Sequence, residues 1–453
     1  MNIHGIMIAG VRSGSGKTTI TCGIIKALTR RGLNVHAFKC GPDYIDPMFH
    51  NRVLGVPSKN LDLFFTNEET TRGLYASGND SDISVIEGVM GLYDGIGGIS
   101  LEASSYHLAD TLKTPVVLVL DAHGMGRSII AELKGFLALD DSHLIKGVIL
   151  NRVSASLYET IKPVIEKETA TKVLGYFPKT ENIGLESRHL GLVLPSEINE
   201  LETTLGRVAD IVDECIDIDG LLGLADGTDI IEPECQIVEP PIERRVAIAL
   251  DEAFCFYYED NLKMLKKAGV KLIPFSPVHD DRLPDNIDGL ILGGGYPELY
   301  LEQLSNNKSM LASVRSAILA GLPSIAECGG FMYLHDEIKD RLGTSYSMAG
   351  VIKGSCEYRG KLVRFGYLTI EEKTSNYITT GDGRIKGHEF HYYDSTNNGS
   401  DCVSVKPDGI RSWESAHVTD TNWWGFAHLY YPSNPEFVKA FVGKLGGTNG
   451  KQS

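Results

Sequence analysis

The chain of 453 residues has no stretch of eighteen apolar residues, and Met1–Gly10 carries no basic region followed by a long apolar run. Those absences argue against a membrane-spanning helix and a secretory leader, and the expectation is a soluble, cytoplasmic protein. Basic residues are in short supply: 43 Lys plus Arg face 59 Asp plus Glu, for a formal charge of −16. Such a balance excludes a nonspecific hold on nucleic acid or an anionic membrane. It leaves room for a small anionic substrate, which needs only local positive groups. Cysteines stand at 22, 40, 215, 235, 255, 328, 356 and 402 with no C-x-x-C pair. Neither a zinc site nor a disulfide framework is legible in that spacing, and most of these thiols are expected to be buried and inert. No internal repeat or low-complexity tract is present.

What is present is an alternation of short apolar runs with helical patterns, in a chain too long for one ordinary core. In the first half the runs are Gly5–Ala9, Asn34–Phe38, Ile83–Ile86, Pro115–Leu120 and Gly147–Leu150. Buried strands separated by helices predict a parallel sheet covered on both faces. From about Ala225 to Arg245 the sequence turns acidic and carries Pro233, Pro240 and Pro241, the character of a linker. Alternation then restarts: Val246–Leu250, a helix near Tyr258–Ala268, Val270–Phe275, Gly289–Leu292, a helix near Leu304–Ala320 and a strand ending before Cys328. Beyond Gly350 the pattern is strand-rich, through Gly366–Ile370 and His388–Tyr392, with a last helix near Pro435–Val442. The expected architecture is α/β in two domains: 1–224 around an N-terminal P-loop parallel sheet, a linker over 225–244, a second α/β domain over 245–446, and a frayed tail over 447–453.

The first chemical signal is the glycine turn Ser13-Gly14-Ser15-Gly16-Lys17-Thr18-Thr19, between the apolar strand Ile6–Ala9 and a helical pattern of Ile20, Ile24 and Leu28. Backbone N–H groups at a helix N-terminus, with Lys17, suit phosphates, and Thr18 suits Mg²⁺. Five residues, Val11–Ser15, separate Gly10 from Gly16, where the usual phosphate loop has four. Lys39-Cys40-Gly41-Pro42-Asp43-Tyr44-Ile45-Asp46-Pro47 follows the second strand and sets Asp43 and Asp46 beside Lys39. Glu87 ends the strand Ile83–Ile86 at the edge where open α/β sheets bind ligands. Hard oxygen donors near a nucleotide make Asp43, Asp46 and Glu87 candidate Mg²⁺ ligands. Asp94, in the glycine segment Gly91–Gly95, is placed to meet a substrate or to close a turn. Asn151, at the end of Gly147–Leu150, can read an adenine edge or serve turn chemistry.

The second signal is Ser324-Ile325-Ala326-Glu327-Cys328-Gly329-Gly330, an apolar strand that delivers a cysteine into a glycine turn. A catalytic thiol needs a lowered pKa, a base and donors aimed at an oxyanion. The Gly329 N–H is one candidate donor, and Gly294 or Gly295 of the loop Gly293–Glu298 another. For the base, His428 in the aromatic run Trp424–Tyr430 is favoured over His388 and His391.

These pieces, in this order, resemble the cobyrinic acid a,c-diamide synthase family, in which a dethiobiotin-synthetase-like ATP domain is fused to a class I glutamine-amidotransferase module. The segments that carry the likeness are Gly10–Thr19, Lys39–Pro47, Glu87–Gly95, Ser187–Leu192, Gly293–Glu298, Glu327–Leu334 and Gly387–Tyr392. The resemblance implies an ATP- and Mg²⁺-dependent ligase of cobalamin biosynthesis that amidates the a and c acetates of cobyrinic acid through an acyl phosphate. Cys328 and His428 would release ammonia from glutamine; Ser13–Thr19, Lys39 and Asn151 would hold ATP; Tyr44, Asp94 and His189 would border the macrocycle. Free ammonia is protonated in neutral water and acyl phosphates hydrolyse, so a sheltered path for ammonia is expected. The broader glutaminase pattern places a glutamate two residues after the histidine, but Tyr430 stands there. Slow glutamine hydrolysis without ATP and corrinoid is therefore expected. Nickel sirohydrochlorin and hydrogenobyrinic acid are alternative substrates of the same chemistry. A regulatory P-loop ATPase with a non-catalytic second domain is the rival from another class, and oligomeric state is left open.

Overall fold

The computed structural model describes residues 2–76, 80–180, 198–225, 227–229, 243–374, 376–377 and 383–446. The chain divides into two compact units, Met1–Cys235 and Gln236–Ser453.

In the first unit the apolar runs become strands because both faces of their sheet are covered. The strands are β1 (Asn2–Gly10), β2 (Val35–Cys40), β3 (Ser58–Leu61), β4 (Ile83–Glu87), β5 (Val116–Asp121), β6 (Ile145–Asn151), β7 (Lys172–Phe177) and β8 (Gly227–Asp229). Their order is β3-β2-β4-β1-β5-β6-β7, parallel throughout, with β8 antiparallel to β1. Every residue of β2, β4 and β5 is buried, as a sheet with two covered faces requires. Helix α1 (Lys17–Arg30) packs Ile20, Ile24 and Leu28 with Leu205, Val208 and Val212 of the helix Ile198–Cys215 into one of the two cores. Successive strands are added on opposite sides of β1, so the loop after it opens at a switch point of the sheet.

Sequence reading misses three strands here. Ser58–Leu61 is polar by composition, yet all four residues are buried, because Ser58 meets His50 Nδ1 at 3.1 Å and Asn60 donates to the Gly41 carbonyl at 2.8 Å. Lys172–Phe177 starts on an exposed lysine and is broken by Gly175. Inside the segment expected to be linker, Gly227–Asp229 pairs with β1, Asn2 opposite Asp229 and His4 opposite Gly227. A three-residue strand has no readable period. The rest of that segment from 230 to 242, the tail 447–453, and the Ser187–Leu192 motif with His189 lie outside the described residues.

The second unit is built on β9 (Arg244–Ala249), β10 (Val270–Phe275), β11 (Gly289–Leu292) and β12 (Ser324–Glu327). It is completed by β13 (Arg364–Glu372), β14 (Arg384–His391), β15 (Asn422–Gly425) and β16 (His428–Leu429). A parallel sheet runs β10-β9-β11-β12-β15, and the antiparallel pairs β13-β14 and β14-β16 belong to a second sheet. Helix α2 (Glu259–Lys267) precedes β10, and the short α3 (Gly329–Tyr333) follows β12 directly. The single helix expected over Leu304–Ala320 is two, Leu301–Asn306 and Lys308–Leu319, because the Asn307 side chain accepts the Met310 N–H and caps a new start.

Candidate functional sites

In the first unit the predicted residues gather at the carboxyl edge of the sheet. Gly16 is left-handed at φ 91°, and a Cβ there would stand 2.1 Å from Asn151 Nδ2. Only glycine fits both the turn and the close approach. Asn151 at the end of β6 donates to the Ser15 carbonyl at 2.8 Å, so its amide nitrogen braces the loop. Ser15 Oγ is buried without a partner among the described residues. Lys17 reaches back over the loop to the carbonyls of Met90 at 2.6 Å and Arg12 at 3.1 Å. Burial, followed by the charge of Lys39, lowers its pKa to about 8.

Beneath the loop is a buried ionic cluster. Thr18 Oγ1 donates to Glu87 Oε1 at 2.6 Å, Lys39 Nζ lies 2.9 Å from the same oxygen, and Lys39 also pairs with Asp46. Burial alone would raise the Glu87 pKa, but Lys39, His50 and Thr18 outweigh it and hold the carboxylate well below its usual range. Asp46 moves the other way: burial and the Glu87 charge raise it more than Lys39 lowers it. Burial likewise disfavours the Lys39 ammonium, yet the two carboxylates raise its pKa well above the ordinary value. Glu87 Oε2 is buried and without a hydrogen bond, with His50 Nε2 3.5 Å away. A carboxylate oxygen without a partner among the described residues, beside the Thr18 hydroxyl, suits a hard divalent cation such as Mg²⁺.

Around that cluster, Asp43 takes the Ile45 N–H at 2.9 Å and Tyr44 is buried beside it. Asp94 accepts the Gly91 N–H at 2.9 Å, closing a turn, and its charge also reaches Lys17. Ser13 and Gly14 lie at the exposed tip of the loop, and Thr19 sits in the first turn of α1. Sequence reading missed the pair of arginines that converge here: Asp121, at the end of β5, bonds Arg12 at 2.6 Å and Arg152 through its Nε at 2.9 Å. Both guanidiniums remain partly open to solvent at the mouth of the loop. His50 was missed as well, because a histidine in a buried π-turn carries no motif of its own.

In the second unit Cys328 occupies the sharp turn between β12 and α3 at φ 48°, ψ −104°, a strained conformation for a residue with a Cβ. The turn is held from three sides: Cys328 N–H donates to Gly425 O at 2.9 Å, Gly330 N–H to Gly293 O at 2.9 Å, and Met332 N–H to Cys328 O at 2.9 Å. Gly295 N lies 3.3 Å from where a Cβ on Gly329 would stand, so two of the expected oxyanion donors belong to one patch of backbone. Tyr257 fixes the entrance of this loop, accepting Gly293 N–H at 2.9 Å and donating to Ala249 O.

His428 follows β15, the neighbour of the cysteine strand, and its ring covers Gly294: a Cβ there would stand 2.2 Å from His428 Cε1. Sequence spacing could not foresee that the second glycine-loop residue must lack a side chain for the histidine's sake. Burial first, then His388 and His391, lower the His428 pKa to about 3, so the imidazole is a neutral base. Burial first, then Glu298, Glu389 and Glu327, raise the Cys328 thiol well above its ordinary value, against a lowering by the Gly329 N–H. The resting pair is thus thiol and imidazole, not thiolate and imidazolium.

A buried polar frame holds the histidine segment. Asn261 of α2 donates to Leu429 O at 2.8 Å and accepts Tyr431 N–H at 2.8 Å, and Asp260 accepts Tyr430 OH at 2.9 Å. Glu327, next to the cysteine, points to the opposite face of β12, where it accepts the Tyr431 hydroxyl at 3.2 Å and the Leu429 backbone N–H. Burial pushes its pKa up to about 8. The frame ties the strand of the thiol to the strand of the base.

Known proteins resemble both units. A CobQ/CobB/MinD/ParA nucleotide binding domain matches residues 6–193, and a CobB/CobQ-like glutamine amidotransferase domain matches residues 245–425. A protein of Caldanaerobacter subterraneus named cobyrinate a,c-diamide synthase is 41% identical, with 96% of this chain and 97% of that protein covered. Proteins of the same name from Listeria innocua and Picrophilus torridus are each 39% identical, covering 97% and 98% of this chain and 98% and 99% of theirs.

Proposed function

Since the chain belongs to the cobyrinate a,c-diamide synthase family, we propose that it converts the a and c acetate carboxylates of cobyrinic acid to amides, using ATP and glutamine. One observation carries the reading: a strained cysteine elbow with a histidine just beyond the end of the adjacent strand, and a phosphate loop over a buried carboxylate, occur in a single chain.

In the second unit the Cys328 sulfur attacks the glutamine side-chain carbonyl as His428 takes the thiol proton. N–H groups of Gly329 and of Gly294 or Gly295 receive the charge that develops on oxygen. His428 returns the proton to the leaving nitrogen, the C–N bond breaks and ammonia departs, and water then hydrolyses the thioester to glutamate. In the first unit Gly14–Thr19, Lys17 among them, hold the β- and γ-phosphates, and Asn151, which braces the loop through Ser15, would offer its amide to an adenine edge. Thr18 and Glu87, with Asp43 and Asp46, would hold Mg²⁺, which supplies charge neutralisation on the phosphates. A substrate carboxylate oxygen attacks the γ-phosphorus and ADP leaves; ammonia then attacks the acyl carbon and phosphate leaves. Tyr44 and Asp94 border that carboxylate. Two such cycles yield the diamide, in a reaction sequence leading to cobalamin.

The test is mass spectrometry of products after incubation with MgATP, glutamine and, separately, cobyrinic acid, hydrogenobyrinic acid and nickel sirohydrochlorin. Two carboxyl-to-amide conversions on cobyrinic acid are expected. Conversion only of another macrocycle would replace the substrate, and conversion of none by folded, ATP-binding protein would reopen the regulatory ATPase reading.

A further inference from the structure

Two buried acceptors beside the thiol site lack a donor. Glu389, on β14, is 2% exposed, and its Oε2 has no hydrogen-bond partner among the described residues. The nearest cationic groups, Arg364 Nε and His391 Nε2, are each 3.8 Å from that oxygen, beyond hydrogen-bond range. His391, two residues along, is 5% exposed, and its Nε2 is also unpartnered. Its Nδ1 lies 2.6 Å from Tyr393 O. A carbonyl only accepts, so Nδ1 carries the hydrogen and Nε2 of the neutral ring offers a lone pair. Leaving one buried acceptor unpaired costs about 1–3 kcal/mol, and native structures rarely retain such groups without a reason. Two acceptors side by side call for one group with several hydrogens to give.

Their position says which group. β14 runs beside β16, with His388 opposite His428 and Gly387 opposite Leu429, and the charge of Glu389 reaches Cys328. The His391 ring stacks on Phe426 at 4.1 Å, and Phe426 meets Phe331 of the cysteine helix edge-on at 5.0 Å. Glu298 lies in the turn Pro297–Leu299 that follows the glycine loop. Its carboxylate accepts its own backbone N–H and feels the charge of Arg341, and its own charge reaches both Cys328 and Tyr393. Carboxylates around a thiol oppose its ionisation. The arrangement makes chemical sense when a cation arrives with the substrate, satisfies the acceptors and offsets that negative field.

We propose that Glu389 and His391, with Glu298, are the socket for the α-ammonium group of L-glutamine. This rests on the reading of Cys328 as a glutaminase nucleophile. The ammonium's three N–H donors fill both empty acceptors, and its charge lets the thiol ionise only when glutamine is seated. The socket therefore sets both amino-acid specificity and the silence of the thiol in its absence.

The experiment compares L-glutamine with glutaramate, the same amide without its amino group, on the full chain with MgATP and cobyrinic acid. Binding of both to the Cys328→Ser chain is measured by titration calorimetry. Glu389→Gln should weaken glutamine by about ten- to a hundredfold, the range for losing a charge-assisted hydrogen bond, and leave glutaramate within about twofold. Glu298→Gln, in a partly exposed turn where folding is not at stake, should shift the same preference in the same direction. Equal losses for both amides would overturn the socket and mark Glu389 as structural or as a site for released ammonia, which both amides yield. Unchanged binding of both would overturn it too. If the unsubstituted chain hydrolyses no glutamine while amidating with ammonia, the glutaminase reading falls and the socket with it.

Discussion

Replacing Glu327 by glutamine should stabilise the second unit above neutrality while leaving it nearly unchanged near pH 5. The side chain is 7% exposed, and burial raises its pKa from 4.5 to about 8. Between those values the folded carboxyl keeps a proton that the unfolded one has released. The folded state binds more protons, and stability falls as pH rises through this window. At roughly 1.4 kcal/mol per pH unit the full loss is at most about 5 kcal/mol by pH 8. Glutamine copies the neutral form, still able to accept from Tyr431 and Leu429, and has no such loss. Histidines with lowered pKa, His335, His388 and His428, act in the opposite direction below about pH 6.5. They are common to both proteins and cancel in the difference. The chain's three tryptophans, Trp413, Trp423 and Trp424, all lie in this unit, so fluorescence during urea unfolding reports it alone. A difference between parent and variant that stays constant from pH 5 to pH 8 would refute the argument.

Lys39→Met leaves Asp46 and Glu87 buried without their shared cation, and the first unit should lose about 3–5 kcal/mol. Far-UV circular dichroism during denaturation would record it, together with loss of ATP binding by calorimetry. Gly294→Ala sets a methyl carbon 2.2 Å from His428 Cε1 and must displace the ring. A misplacement near 1 Å costs about a hundredfold in rate, so glutamine-dependent amidation should collapse while amidation with added ammonia persists. Loss of both together would place the damage outside the thiol site.

The phosphate loop, the cysteine elbow and the alternation of strands and helices were legible in the sequence because each is local. A strand end followed by glycine and a helix fixes where a phosphate or a nucleophile stands, whatever packs around it. Local pattern also set Asp43 and Asp46 after the end of β2 and Glu87 at the end of β4. It failed for Ser58–Leu61, whose polar residues are buried only because β2 and His50 meet them, and for the helix that Asn307 divides in two.

Tertiary structure alone decided the electrostatics. Lys39 sits between its near neighbour Asp46 and Glu87, far along the chain, Glu327 reaches the histidine strand from the face opposite its own cysteine, and Glu389 and His391 stand together without a donor among the described residues. Such relations depend on which strands become neighbours and on how much water they exclude. A chain's order determines which groups it carries, but only packing sets their distances and surroundings, and those fix whether a carboxyl is charged, a thiol is silent or an acceptor is left waiting for substrate.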